Sequence, residues 1–167
     1  MLDVAPLVAE DAAPVAGSIA LDLFAGKTIT LDIPGRRLIV ESPASLQQRI
    51  ADTPSLPVLL SREVQGHALA ASLGVPTAKG MLWFELDTGN GGTILVSQPY
   101  ASLFDLDPQA GGPQEADFLV APSLRAQGNA FTPDMILDGN LGMPFLRDKV
   151  VTLDLQTGRL WIAKGKQ

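Results

Sequence analysis

The sequence predicts an all-β fold of short strands and tight turns with a few short helices. Three observations predict it. First, 16 Gly and 13 Pro among 167 residues break the chain too often for long helices. Second, apolar and β-branched residues alternate in short runs bounded by Gly, Pro, Asn or Asp, the pattern of half-buried strands. Third, the two ends of the chain repeat each other without gaps at a constant offset of 122, from Gly17 against Gly139 to Arg37 against Arg159. A match of that length is one supersecondary unit used twice.

Each copy of the repeat reads as a hairpin. In the first, Thr28 to Ile33 turns at Pro34-Gly35 and returns through Arg37 to Val40. In the second, Val150 to Leu155 turns at Thr157-Gly158 and returns from Arg159 to Ala163. Asp32 and Asp154 stand to form cross-strand ion pairs with Arg37 and Arg159. Ser42-Pro43 opens a short helix through about Ala51, ended by Pro54 and Pro57. Strands are expected at Pro57 to Ser61, Glu63 to Ser72 and Met81 to Leu86, with Gly74 and Pro76 in the last gap. Thr93 to Val96 follows, then a helix after Ser97 that buries Leu103 and Phe104. Asp107 to Glu115 reads as an exposed loop. Phe118 to Val120 and a strand near Met135 to Leu137 complete the sheet.

Hydrophobic residues make up 46% and charged residues 18%, enough for one folded domain with a core. The net charge of −6 repels phosphate backbones and argues against a nucleic-acid partner. There are no cysteines, which removes disulfides, thiol catalysis and Cys-based zinc sites. His67 is the single histidine and reads as a surface strand residue, so no metal or cofactor is expected. Gly26-Lys27-Thr28 lacks the preceding Gly of a phosphate loop, because Leu21 stands there. Ser61, Ser72 and Ser97 lack a nucleophile-elbow setting. No apolar run approaches the roughly 20 residues of a membrane span. The N-terminus, Met1 to Pro6, lacks the basic start and apolar run of a signal peptide.

The chemistry concentrates at Asp87-Thr88-Gly89, at the end of the apolar run Met81 to Leu86. An Asp at a strand tip holds a carboxylate rigidly, Thr88 can brace the neighbouring backbone, and Gly89 lets another backbone come close. A second segment, Ile136-Leu137-Asp138-Gly139-Asn140-Leu141-Gly142, follows downstream. Asp138 reads as a turn residue, and Gly139 and Gly142 as positions of close backbone passage. Trp83 and Trp161 read as core or interface aromatics.

With these pieces and the closing hairpin, residues 57–163 resemble one lobe of a bacterial retropepsin-like aspartic protease, and residues 16–40 resemble the closing piece of a preceding lobe. The resemblance implies a closed β-barrel lobe over 57–167, a helical linker over 42–56 and, over 1–41, the tail of another lobe. It implies an aspartic endopeptidase acting on peptide or protein substrates, with Asp87, Thr88 and Gly89 catalytic and with Asn90, Gly139 and Asn140 bordering the substrate. It also implies an exported, periplasmic setting, although the chain carries nothing against a cytoplasmic one. Asn90 departs from the Ala, Ser or Thr commoner after the Gly, and Val96 to Phe118 is short for a flap hairpin.

Such chemistry needs two carboxylates, and Asp22 is not the second, since it aligns with Pro144. The partner carboxylate is expected from a second copy in a homodimer or from a lobe ahead of the first repeat, which begins mid-unit. The competing reading is a non-catalytic peptide-binding or dimerisation module of the same fold. A third is a β-barrel binder of small ligands.

Overall fold

The computed structural model describes residues 19–66 and 68–165. Gly17, Ser18, the N-terminal segment read for a signal peptide, and His67 lie outside the described residues. Among the described residues, eleven strands form two sheets, and no helix is long and apolar enough to cross a membrane.

The repeat builds the first sheet. β1 (Thr28–Asp32) and β2 (Arg37–Val40) form one antiparallel hairpin, and β10 (Lys149–Asp154) and β11 (Arg159–Lys164) form the other. β1 pairs with β10, giving the order β11-β10-β1-β2. The turns match in detail. The Asp32 carboxylate accepts from the Gly35 amide at 2.9 Å, and the Asp154 carboxylate accepts from the amides of Gln156 at 2.9 Å and Thr157 at 3.2 Å. The next position is left-handed in both, Arg36 at φ 51° and Gly158 at φ 67°. One expected ion pair is present: Arg37 Nη2 lies 2.5 Å from Asp32 Oδ2. The other is not. Asp154 faces Arg159 in register, but its carboxylate serves the turn and the Thr157 hydroxyl instead.

Helix α1 (Pro43–Ile50) starts where expected. Ser42 Oγ accepts from the Ser45 amide at 3.1 Å, and Ser45 Oγ accepts from the Ser42 amide at 2.9 Å, so two orphan donors are satisfied reciprocally.

The second sheet has seven strands in the order β3-β4-β5-β9-β6-β8-β7. They are β3 (Val58–Glu63), β4 (Ala68–Thr77), β5 (Gly80–Leu86), β6 (Ile94–Val96), β7 (Gln114–Ala121), β8 (Leu124–Phe131) and β9 (Gly139–Leu141). The sheet curls until β7 comes against β4. It does not close, since no pairing joins its end strands β3 and β7, and the expected closed barrel is corrected to an open, curled sheet. Phe84 of β5, Phe104 and Phe118 of β7 pack edge-to-face and tilted inside the curl, with ring centroids 4.4–6.1 Å apart.

Four strand expectations change. Glu63, expected to open the second strand, ends β3 instead, and the 3-10 turn Val64–Gly66 precedes β4. β4 runs straight through Gly74 and Pro76. The Gly74 amide donates to Pro57 O at 2.9 Å, and Pro76, two residues on, points its missing N–H the same way, beyond the end of β3. β8 is a full strand unforeseen from the sequence. Met135 to Leu137 is not a strand; it is held to β6 and the following turn by Ser97 Oγ donating to Met135 O at 3.0 Å and the Ser97 amide donating to Asp138 O at 3.0 Å.

Candidate active site

Strand β9 is inserted between β5 and β6, parallel to one and antiparallel to the other. The chain leaves β5 at Leu86, loops through Asp87 to Thr93 and re-enters as β6, straddling β9. This places the downstream segment directly behind Asp87. The Asp87 amide donates to Leu141 O at 3.2 Å, fixing the residue's backbone to β9.

The Asp87 carboxylate is half-buried and both its oxygens are held. Oδ1 accepts from the amides of Gly89 at 2.8 Å and Asn90 at 3.3 Å, and Oδ2 accepts from Asn140 Nδ2 at 3.0 Å. A Cβ at position 89 would stand 3.1 Å from Asp87 Oδ1, so a side chain there would crowd the carboxylate. Thr88 is exposed, and its hydroxyl has no hydrogen-bond partner among the described residues.

Asn90 and Asn140 form the frame behind the acid. Asn90 Nδ2 donates to Asn140 Oδ1 at 2.8 Å and to Thr93 O at 3.1 Å. Asn90 Oδ1 accepts from the Thr93 amide at 3.2 Å and the Thr93 hydroxyl at 3.0 Å. Gly142 makes this possible, because a Cβ there would lie 2.5–2.6 Å from Asn90 O, Asn90 Cγ and Thr93 O. A Cβ at Gly139 would meet the Phe84 ring at 2.7 Å. Gly139 and Asn140, expected at a substrate surface, are buried and act on the site from behind. Asp138 does more than turn the chain: its Oδ2 accepts from the Trp83 amide at 2.8 Å, extending the β5–β9 pairing by one residue.

Glu85 is the member that the sequence reading missed. It lies two residues before Asp87 on the same strand face, and Asn140 Nδ2 also reaches its Oε2 at 3.4 Å. Burial first, then the neighbouring charges of Asp87 and Glu63, push the Glu85 carboxyl above its ordinary range. The Asn140 hydrogen bond opposes this only in part. The i, i+2 spacing of Glu85 and Asp87 was the available signal.

Of the segment expected as an exposed loop, Asp107 to Glu115, the last two residues open β7 and the rest is a loop. Between the 3-10 helix Gln98–Phe104 and β7, Asp107 and Gln114 tie it down. The Asp107 amide donates to Gln114 Oε1 at 2.7 Å, and Gln114 Nε2 donates to Asp107 O at 2.9 Å. Beside Thr88 lies an apolar cavity of about 140 Å³, bordered by Leu21, Phe24, Leu31, Leu38 and Leu86.

No family model and no curated protein matches the sequence. Among solved structures, the chain is similar to basic 7S globulin from soybean, of aspartic-protease-like fold, with a TM-score of 0.51 and 14% identity over 81% of this chain and 50% of that one. The chain thus spans half the length of that globulin. The likeness shows the fold alone, mostly β and distantly similar to the aspartic-protease type.

Proposed function

We propose that this chain is a lobe of an aspartic-type endopeptidase, with Asp87 one of two carboxylates that activate water against a peptide bond. The observation that carries the reading is the Asp87 side chain, at a strand tip, with three N–H donors on its two oxygens and one side left open to solvent. In this reading one carboxylate is ionised and takes a proton from water. The other is protonated and gives its proton to the carbonyl oxygen as the hydroxide adds. Collapse of the tetrahedral adduct then passes a proton to the departing amine. Thr88 braces the loop across the junction with the partner, and Gly89 and the Asn90 amide hold Asp87. Asn90, Gly139 and Asn140 shape the floor on which a peptide or protein substrate lies. The second carboxylate comes from another lobe or subunit. An exported, periplasmic setting belongs to the same reading and rests on the resemblance alone.

The test is peptide hydrolysis by the complete assembly from acid to neutral pH. Asp87→Asn is expected to lower the rate by about 10²–10⁴-fold. A variant that cleaves as fast as the parent ends the assignment.

One observation favours the second reading, a non-catalytic peptide-binding or dimerisation module. The loop before β7 is pinned by Asp107 and Gln114, and the β7–β8 hairpin that follows is tied into the curled sheet by the pairing of β8 with β6, so neither stands free to fold over a bound peptide. A statine-type inhibitor, which mimics the tetrahedral adduct between two carboxylates, discriminates between them: the protease reading expects tight binding to the complete assembly, and the module reading expects none.

A further inference from the structure

The four-stranded sheet is built on a local two-fold axis. β1 and β10 are equivalent strands of the repeat, and Thr30 lies opposite Thr152, the one pair whose members are themselves equivalents. Their hydroxyls bond at 2.9 Å across the axis. The outer strands obey the same symmetry: Leu31 stands opposite Leu38 in one hairpin, and Leu153 opposite Leu160 in the other.

The two halves are covered unequally. In the second copy, Leu141, Phe145, Leu160 and Ile162 are all at most 5% exposed, packed into the core with the strands of residues 57–142. Their equivalents in the first copy, Ile19, Leu23, Leu38 and Val40, are 70%, 69%, 43% and 51% exposed. The sequence kept the apolar residues of a covered face in both copies, and among the described residues the cover is present over only one. The open half is no remote patch, because Leu31 and Leu38 border the same cavity as Leu86 and Thr88.

We infer that the apolar face of the β1–β2 hairpin seats a second lobe with the topology of residues 57–142, and that a second copy of this chain does not take the seat. Two features argue against the second copy. The place beside β10, where a symmetric partner's closing hairpin would pair, is already filled by β1. And in any further copy the surface that would cover β1–β2 is already committed to its own β10–β11. A lobe placed by the axis through Thr30 and Thr152 brings its own equivalent of residues 87–89 to the far side of that cavity. The link to catalysis rests on the protease reading above, but the docking itself does not.

The test joins residues 42–138 directly ahead of residues 17–167, since Gly17 is the equivalent of Gly139 and this junction restores the repeat. In this tandem chain, hydrogen exchange at the β2 amides is expected to slow to the level of β11. Leu38→Asp is expected to lower the melting temperature of the tandem chain by several degrees and that of the 167-residue chain by a degree or less. The 167-residue chain is expected to sediment as a monomer. A tandem chain that fails to fold, or whose β2 exchanges as fast as in the short chain, overturns the inference. So does a homodimer of the 167-residue chain that Leu38→Asp dissociates, which would make the second copy the occupant. Exchange reads docking and hydrolysis reads chemistry: a tandem chain with a protected β2 and no peptidase activity would sink the protease reading and leave the docking standing.

Discussion

Asp87 is fixed by an amide 53 residues further along the chain. Asn140 spends one N–H on Asp87 and reaches Glu85 with the other, while its carbonyl oxygen takes the Asn90 amide, so one buried side chain orders three polar neighbours. Glu85 bears the electrostatic cost. Its folded-state pKa is raised, so its favourable contribution is complete below the unfolded carboxylate value of about 4.3 and is lost as pH rises through the raised folded value. Glu85→Gln keeps an acceptor for Asn140 and removes the charge. Melting curves are expected to show a gain of roughly a few degrees at pH 7 and much less at pH 4. An equal gain at both would show that charge is not the cause. Asp87-Thr88-Gly89 was legible because its three residues are consecutive. The roles of Asn140 and Glu85 were not, because a hydrogen bond between residues 53 or 55 apart exists only once β9 lies beside β5.

At the scale of elements, hairpins and caps were legible because their causes are local. Ser42-Pro43 starts α1, and Asp32 and Asp154 begin equivalent turns. The misses have tertiary causes. Gly74 and Pro76 read as breaks, yet β4 continues because the Gly74 amide still finds Pro57 O while the missing N–H of Pro76 faces an edge beyond the end of β3, and because Gly74 lets Pro57 and Trp83 approach where a Cβ would lie within 3.0 Å of each. β8 was passed over because its inward positions after Leu124 are the small residues Ala126, Gly128 and Ala130, which carry little hydropathy. Gly128, at φ 136°, is small because the helix Met143–Leu146 packs there, with Pro144 3.3 Å from where its Cβ would be. Gly142 is where element packing meets the site. Gly142→Ala is expected to cost about 2–4 kcal/mol by urea unfolding, since its Cβ would collide with backbone atoms of Asn90 and Thr93. Gly112→Ala, with open space around it, is the control and should stay within about 0.5 kcal/mol of the parent. A neutral Gly142→Ala would mean that the loop under Asp87 yields freely.

For the whole molecule, one complete curled sheet sits on one half of a two-fold sheet, and the other half keeps an apolar face toward solvent. Leu86 and Thr88, on either side of Asp87 in sequence, lie on the border between the halves. The chain alone therefore holds a half-site in the protease reading. Sedimentation and a peptide assay on the same sample are expected to find a monomer without turnover. Turnover from a proven monomer would mean that the second acid lies within this chain.

The sequence by itself determined the all-β class, the duplicated hairpin, the helix start at Ser42 and the position of the acid at residue 87, because each depends on neighbours within a few residues or on an exact repeat. Tertiary structure alone decided that the sheet stays open and that β9 threads behind Asp87. It also decided that the two hairpins meet at Thr30 and Thr152 and that, among the described residues, only one of them is covered. Those outcomes depend on which distant strand reaches a given edge first, and no local pattern of side chains encodes that.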